Sequence, residues 1–527
     1  MAVSIFNDVI GPVMRGPSSS HCAAALRIGR LARDLMDGDI CHVLIEFDRC
    51  GSLATTHTSQ GSDMGLFGGL LGWEATDERL PDSTGAIGAA GVEVRTVIKD
   101  LGFTHPNTYR LTLSNGHRQH ALTAVSTGGG IIEVVEIDGF AVSIAGDYAE
   151  TLVFVSARGR AIADRLSEAA RCDEILVHAH QGTELVEFKG QEFLPDAALA
   201  VIEQQPEVLV VERLRPVLPV LSRASLDVPF ATCEAMFRYK GDGDAPLWTL
   251  AAAYESARGN LSEQDVLERM GAIVRTLRAS LAQGLEGTEY EDRILGYQCG
   301  RFAQRLEDAR LLDAGMLNRI ILYVTALMEV KSAMGVIVAA PTAGACAALP
   351  GAVLGAVDAL GGTNDDAARA MLAGGIIGVF IATGSTFAAE VAGCQAECGA
   401  ASGMAAAALA TLGGGTAEQA VAAASMALQN SFGMVCDPVA NRVEVPCLGK
   451  NVMAASNALA CANMALARYD PVIPLDEVIE AMDGVGRSLP RELRCTALGG
   501  LSVTATSKAI EKRLQRPPHS SGGEPGR

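Results

Sequence analysis

Two long runs set the tightest limit on how this chain can fold: Ala333 to Val357 and Met371 to Ala389 carry no charged side chain. Each is long enough to cross a bilayer. The first holds Pro341 and Pro350 among small residues, and the second holds several glycines and the hydroxyls of Thr383, Ser385 and Thr386. Neither is flanked by Lys/Arg clusters or by Trp and Tyr belts. Close-packed helices inside a soluble bundle account for both, and no membrane partner is expected. Upstream, apolar residues recur at helical spacing in Leu247 to Ser256, Glu263 to Ala282 and Arg301 to Ala333. From Ala339 onward the helices are short, rich in Ala and Gly, and broken by GACAALPG, AGGIIG, TLGGGT and CDPVANRVEVPC. The pattern predicts an all-α C-terminal domain over 223–512 and a disordered tail over 513–527.

The rest of the chain is organised differently, so the fold class is multidomain. A length of 527 residues suits about three domains. Residues 1–142 read as an N-terminal α/β domain, with strands at Val43 to Phe47, Tyr109 to Leu113 and Ile131 to Ile137 and a helix over Gly85 to Leu101. Over 143–222 strands are predicted at Thr151 to Val155, Ile175 to His180, Glu184 to Phe188 and Val208 to Glu212. Helices are predicted at Arg158 to Ala170 and Ala197 to Gln204. That β-α-β-β-α-β order is the one of a ferredoxin-like unit, and it resembles the ACT-type modules that bind amino acids as regulators.

The formal net charge of −19 excludes nucleic acid as a partner, because phosphate recognition needs clustered Lys and Arg. The N-terminus has no sustained apolar segment after a basic start, which makes the cytoplasm the expected compartment. In a reducing compartment the 13 cysteines read as buried thiols, reactive thiols or metal ligands before disulfides.

Three of these cysteines have unusual surroundings. Cys394 lies in GCQAE where an apolar stretch ends, and Cys436 and Cys447 bracket the CDPV and VEVPC segments. Prolines beside both thiols keep that loop from becoming helical and remove backbone donors. Such a loop, with a third thiol at a neighbouring helix end, can hold an iron–sulfur cluster. A fully ligated [4Fe–4S] cluster carries electrons, whereas three thiolates leave one iron as a Lewis acid. Spacing alone leaves other readings open: buried core thiols, Cys398 in place of Cys394, or a zinc site completed by a histidine.

The words GCQAE, CDPV and VEVPC, with Pro341-Thr342-Ala343-Gly344, resemble the α part of bacterial iron–sulfur L-serine dehydratases. Gly16-Pro17-Ser18-Ser19-Ser20-His21, Gly51-Ser52-Leu53-Ala54 and His105-Pro106-Asn107-Thr108 resemble the β part. The similarity runs from near residue 5 to near residue 508 in the β-then-α order of single-chain members. It implies a lyase of amino-acid degradation, feeding gluconeogenesis, that eliminates water from L-serine to give pyruvate and ammonia. The implied cofactor is a [4Fe–4S] cluster on Cys394, Cys436 and Cys447. Implied for the substrate are Ser18, Ser19, Ser20, Asn107, Thr342 and Gly344, with catalytic roles for His21, Gln60, Ser62, Asp63 and His105. A homodimer is the expected assembly. From the residues alone, GPSSSH also reads as the N-cap of a helix over Ala23 to Leu35, and His105 as an ordinary loop histidine.

Two departures from the family pattern bear on the chemistry. The usual Gly-His-Gly-Thr-Asp is Ser59-Gln60-Gly61-Ser62-Asp63 here, so a neutral amide stands where a titratable ring is expected. Either His57 substitutes, another group takes the proton, or the substrate is a different hydroxy amino acid. The segment Gly499 to Ser507 lacks the terminal cysteine that some members use as a removable fourth ligand, so no such gating is expected, although Cys495 could do that job. Competing classes are a pyridoxal-phosphate enzyme gripping phosphate at Gly413 to Thr416, and a non-catalytic amino-acid sensor.

Overall fold

The computed structural model describes residues 2–168, 171–290 and 293–514. The N-terminal segment does not stay with the first domain. Its strand β1 (Val13–Met14) pairs antiparallel with a strand far along the chain, Ile337–Val338. Gly11 N–H also donates to the Ala339 carbonyl at 2.9 Å, and Ala339 N–H to the Pro12 carbonyl at 3.1 Å. Two segments more than 300 residues apart are thereby held in register, and the loops that follow each of them meet.

A six-stranded sheet follows: β2 (His42–Asp48), β3 (Glu93–Lys99), β4 (Thr108–Ser114), β5 (Gln119–Gly128), β6 (Ile131–Ile137) and β7 (Phe140–Ile144), ordered β3-β2-β4-β5-β6-β7. Only β2 and β3 run parallel. The helix expected over Gly85 to Leu101 is shorter, Ser83–Ala89, and the remainder is β3. Gly91, at φ +83°, ends the helix, and the β-branched run Val94, Thr96, Val97 and Ile98 then favours a strand. Strands β5 and β7 lay outside the predicted set; the Asp138-Gly139 turn between β6 and β7, with both residues at positive φ, is a two-residue hairpin signal.

The next four strands are β8 (Ala149–Val155), β9 (Glu174–His180), β10 (Thr183–Gly190) and β11 (Val208–Leu214). They form a second sheet, ordered β11-β8-β10-β9, with every neighbour antiparallel. Helices Gly159–Ser167 and Asp196–Ile202 cover one face, where Val153, Val155, Val186 and Phe188 make a small core. Alternate residues of the opposite face, Leu152, Phe154, Leu185 and Leu214, join the core of the six-stranded sheet. Period-two alternation therefore makes this sheet a two-sided layer.

Beyond residue 230 the described residues are helical apart from β12 (Ile337–Val338). The single helix expected over Arg301 to Ala333 is two, Gln298–Glu307 and Met316–Ser332, because Ala309 and Gly315 both turn to positive φ between them. Helices Ala348–Leu360, Asn364–Gly384, Cys398–Leu412, Ala417–Gln429 and Cys447–Leu466 make the centre of the bundle. The spans Ala343–Leu360 and Asn364–Gly384 are long and apolar enough to cross a membrane, yet 83% and 78% of them are buried inside the fold. Of the tail expected over 513–527, Arg513 and Leu514 close the last helix, Ala505–Leu514, and the rest lies outside the described residues.

Small residues also fix the crossing that carries the GPSSSH loop. Helices Ala24–Leu35 and Ser62–Leu70 pack backbone to backbone through Gly29, Gly65 and Gly69. A β-carbon at Gly65 would overlap the Cys22 carbonyl, and one at Gly69 the Leu26 carbonyl. Rigid backbone cannot give way as a side-chain tip can. Gly65→Ala is expected to cost about 1–3 kcal/mol, read as a lower urea midpoint at unchanged m-value.

Candidate active site

The loop after β1 enters a turn, Ser19–Ala23, that leads directly into the helix Ala24–Leu35. Ser18 precedes that turn without making a side-chain cap; its hydroxyl bonds His21 Nδ1 at 2.9 Å instead. His21 is wholly buried, and its Nε2 bonds Thr56 Oγ1 at 2.9 Å. Burial, with the charge of nearby His57 assisting, holds the imidazole down at about 3, so it is neutral at pH 7 with both nitrogens occupied. The Ser19 hydroxyl accepts from Ala343 N–H at 3.1 Å, which ties the GPSSSH loop to the Pro341-Thr342-Ala343-Gly344 turn.

That turn is itself anchored to the thiols. Thr342 donates its hydroxyl to Glu397 Oε1 at 2.7 Å, and Glu397 Oε2 accepts from the Cys394 thiol at 3.7 Å. Asn451 Nδ2 donates to the carbonyls of Gly344 (2.8 Å) and Cys447 (2.9 Å), while its Oδ1 accepts from Ala348 N–H at 3.0 Å. Asn451 is one helical turn after Cys447, so one side chain fixes both the turn and the thiol-bearing helix start. Gln395 does the same for Cys394, donating to the Met482 carbonyl at 2.6 Å and accepting from Gly433 N–H at 2.9 Å.

Cys394, Cys436 and Cys447 are all buried and free. The ligand atoms of Cys394, Glu397 and Cys436 lie within 4.8 Å of one another. A cavity is lined by Cys436 and Cys447 together with Ser18, Gln60, Gly344, Glu390, Glu397 and Cys495. Burial, together with the charge of Cys394, pushes Cys447 up to about 12, and contact with Cys394 and Cys495 raises Cys436. Crowded thiols that resist losing their protons to water become thiolates readily when a cation supplies the missing charge. The surroundings favour negative charge in the same way. Cys447 begins the helix Cys447–Leu466, and the ammoniums of the buried Lys331 and the half-buried Lys450 act on it. Lys450 also bonds Asp437 at 2.9 Å and the Val435 carbonyl at 2.6 Å. This donor set fits an anionic iron–sulfur cluster. Cys398 accepts from Asn451 Nδ2 at 3.6 Å, packs with Ala345, Ala401 and Ala454, and does not line the cavity.

Gln60 Nε2 donates to Asn441 Oδ1 at 2.9 Å and approaches Cys495 Sγ at 3.6 Å. Asn441 returns its own amide to Ser59 Oγ at 2.7 Å, joining the SQGSD segment to the loop between Cys436 and Cys447. The other expected residues stand behind this shell. Ser62 bonds the Tyr109 hydroxyl at 2.9 Å; Asp63 pairs with His57 at 2.8 Å and faces a separate hollow of about 520 Å³ that also holds Arg442 and Glu444. His105 Nδ1 accepts from Asn107 N–H at 3.2 Å. Sequence reasoning missed Glu390, Asn441 and Asn451. Cys495, noted only as a spare thiol, has its N–H on the Cys436 carbonyl at 3.3 Å.

The family model for the serine dehydratase alpha chain matches residues 242–502. The probable L-serine dehydratase alpha chain of Bacillus subtilis is 37% identical over 253 residues, 48% of this chain and 84% of that protein. The L-serine dehydratase alpha chain of Peptoniphilus asaccharolyticus is 35% identical over 269 residues, 50% of this chain and 91% of that one. The probable beta chain of the Bacillus subtilis enzyme is 40% identical over 150 residues, 28% of this chain and 67% of that one. A lyase site is thus built here from parts that match an alpha and a beta chain, joined in one polypeptide. The chain belongs to the L-serine dehydratase family.

Proposed function

We propose that this protein is an iron–sulfur-dependent L-serine dehydratase of the cytoplasm, converting L-serine to pyruvate and ammonia. One observation carries the reading beyond family membership. A single cavity has Ser18 and Gln60 of the N-terminal part and Gly344 of the helical part on the same walls as Cys436 and Cys447. Cys394, Cys436 and Cys447 are the residues that would hold a [4Fe–4S] cluster. When bound, a cluster on three thiolates supplies an iron free to act as a Lewis acid toward the substrate's hydroxyl and carboxylate.

The protein's own groups supply orientation. Ser18, Ser19, Ser20 and Asn107 on one side, and Thr342 and Gly344 on the other, are the proposed grip on the amino acid. His21, Ser62, Asp63 and His105 are proposed to position these loops from behind, since each is engaged with a neighbour. Gln60 orients by its amide and cannot take a proton. Loss of the α-proton and the β-hydroxyl leaves an enamine, which hydrolyses in water to the keto acid and ammonia.

Two further inferences concern organisation. The boundaries 1–142, 143–222 and 223–512 are proposed as the domains. The middle one is read as a ferredoxin-like, ACT-type module on its element order and its strand order β11-β8-β10-β9. A homodimer is the proposed assembly.

The test is anaerobic purification followed by absorption spectra and a keto-acid assay. A broad brown absorption that bleaches in air together with pyruvate release is expected. A sharp aldimine band indifferent to air, or a cluster without turnover on any amino acid, would contradict it.

A further inference from the structure

We propose that Glu390 is the general base of this site, its Oε2 taking the α-proton of the bound amino acid. The inference rests on the dehydratase reading above and names a residue for the step that Gln60 cannot perform.

The groups that line the cavity decide it. Proton acceptors on its walls are Glu390, Glu397 and three thiols, Cys436, Cys447 and Cys495; no histidine is among them. One oxygen of Glu397 is taken by the Thr342 hydroxyl at 2.7 Å, and its carboxylate stands within 4.8 Å of the ligand atoms of Cys394 and Cys436, against the place the cluster would fill. Cys436 and Cys447 are committed to the cluster. Cys495 is held between the Cys436 carbonyl and the Gln60 amide. Glu390 differs from all of these. It is buried, and its Oε2 makes no hydrogen bond among the described residues. Its Oε1 stands 3.6 Å from His21 Nδ1, a ring already bonded to Ser18 and Thr56. The nearby Asn107 amide acts on this carboxyl from one side. A buried carboxylate oxygen without a hydrogen bond, on a residue that lines the cavity, is what a substrate completes.

The position suits the step. Burial raises the Glu390 carboxyl to about 7, with the charge of Glu397 adding to the rise and Asn107 opposing it, so the group exchanges protons near neutrality. The titratable groups that face it are His21, Tyr109, Glu397 and Cys495. Glu390 lies on the short helix Ala389–Ala392; on the helix Leu475–Ser488 packed against it, Asp483 and Arg487 bond each other at 2.6 Å, and beyond that helix Arg494 bonds the Val391 carbonyl at 3.2 Å. In the step, the Cα–H bond breaks and its proton goes to Oε2. The electron pair becomes the Cα=Cβ bond, and the Cβ–O pair leaves with the hydroxyl. The proton held on Glu390 then converts hydroxide to water and restores the carboxylate.

The test follows α-deuterated L-serine in ordinary water with cluster-loaded Glu390→Gln, prepared anaerobically. The cluster's Mössbauer spectrum and its response to added serine are expected to stay as in the wild type. Loss of α-deuterium and pyruvate release should fall together by about 10²–10⁴-fold. Wild-type kcat/KM should rise with pH through about 7, since a base works deprotonated. Glu390→Asp should keep the cluster, retain part of the rate and move that pH midpoint. Deuterium loss within tenfold of the wild type in Glu390→Gln would overturn the proposal. If the glutamine variant does not load its cluster, an aspartate variant with an unchanged rate and midpoint would overturn it instead. A wild type that neither binds nor turns over serine would fail the dehydratase reading itself, a result distinct from either.

Discussion

Replacing Cys436 by alanine is expected to yield a colourless protein without dehydratase activity. The residue is 5% exposed, and a buried free cysteine packs as a small hydrophobe, so alanine leaves little empty volume behind. Folding of the apo chain should change by no more than about 1–2 kcal/mol, within the ordinary range for a small core truncation. Its role toward a cluster is a different matter. Cys394 and Cys436 stand in one group of close ligand atoms, and Cys447 lines the same cavity, so removing one thiolate of three leaves too few ligands. Iron and sulfide content, absorbance and keto-acid release should vanish together, while far-UV dichroism stays that of the wild-type apoprotein. The same loss is expected for Cys394 and Cys447 but not for Cys398, which bonds Asn451 and packs among Ala345, Ala348, Ala401 and Ala454. A brown, active Cys436→Ala protein would break the assignment of ligands.

The second large effect belongs to Asn451→Leu. Leucine keeps the branching of asparagine in a somewhat larger side chain and offers no polar atom. Three buried backbone groups would lose a partner, the carbonyl of Gly344 and the N–H groups of Ala347 and Ala348, while the Cys447 carbonyl would keep only its intrahelical bond. Each unsatisfied buried group costs about 1–3 kcal/mol, so even partial relaxation leaves a loss of about 3 kcal/mol or more. The Gly344 turn and the Cys447 helix start would also be uncoupled. Urea unfolding of the apoprotein measures the first consequence, and iron retained after desalting measures the second. A variant with wild-type midpoint and full iron content would show that the contact is incidental.

How much of this was legible in the sequence depends on how local each feature is. Helices such as Glu263–Glu286 and strands such as Val208–Leu214 carry their own periodicity, and both were placed to within a few residues. The expected helix over Gly85 to Leu101 failed because a strand pairing parallel to β2 is set by a partner some fifty residues away. The thiols at Cys394, Cys436 and Cys447 stand in distinctive words, with prolines and glycine beside them. Asn451 has no such marker, because its importance lies in four contacts that only the fold assembles. Glu390 is hidden for the same reason. A glutamate in an apolar stretch is a weak clue, and its free oxygen becomes visible only once the GPSSSH loop has been folded against it. Gln60 was the reverse case: the sequence flagged the missing ring, and the structure supplied Asn441 and Cys495 as what the amide holds instead.

Mössbauer spectroscopy of the anaerobically isolated, iron-57-labelled protein, with and without L-serine, is the most direct measurement on the central claim. Three cysteine ligands predict a [4Fe–4S] cluster in which one iron differs from the other three and alone shifts when serine is added. Four equivalent irons that ignore serine, or a protein that holds zinc and no iron, would contradict it.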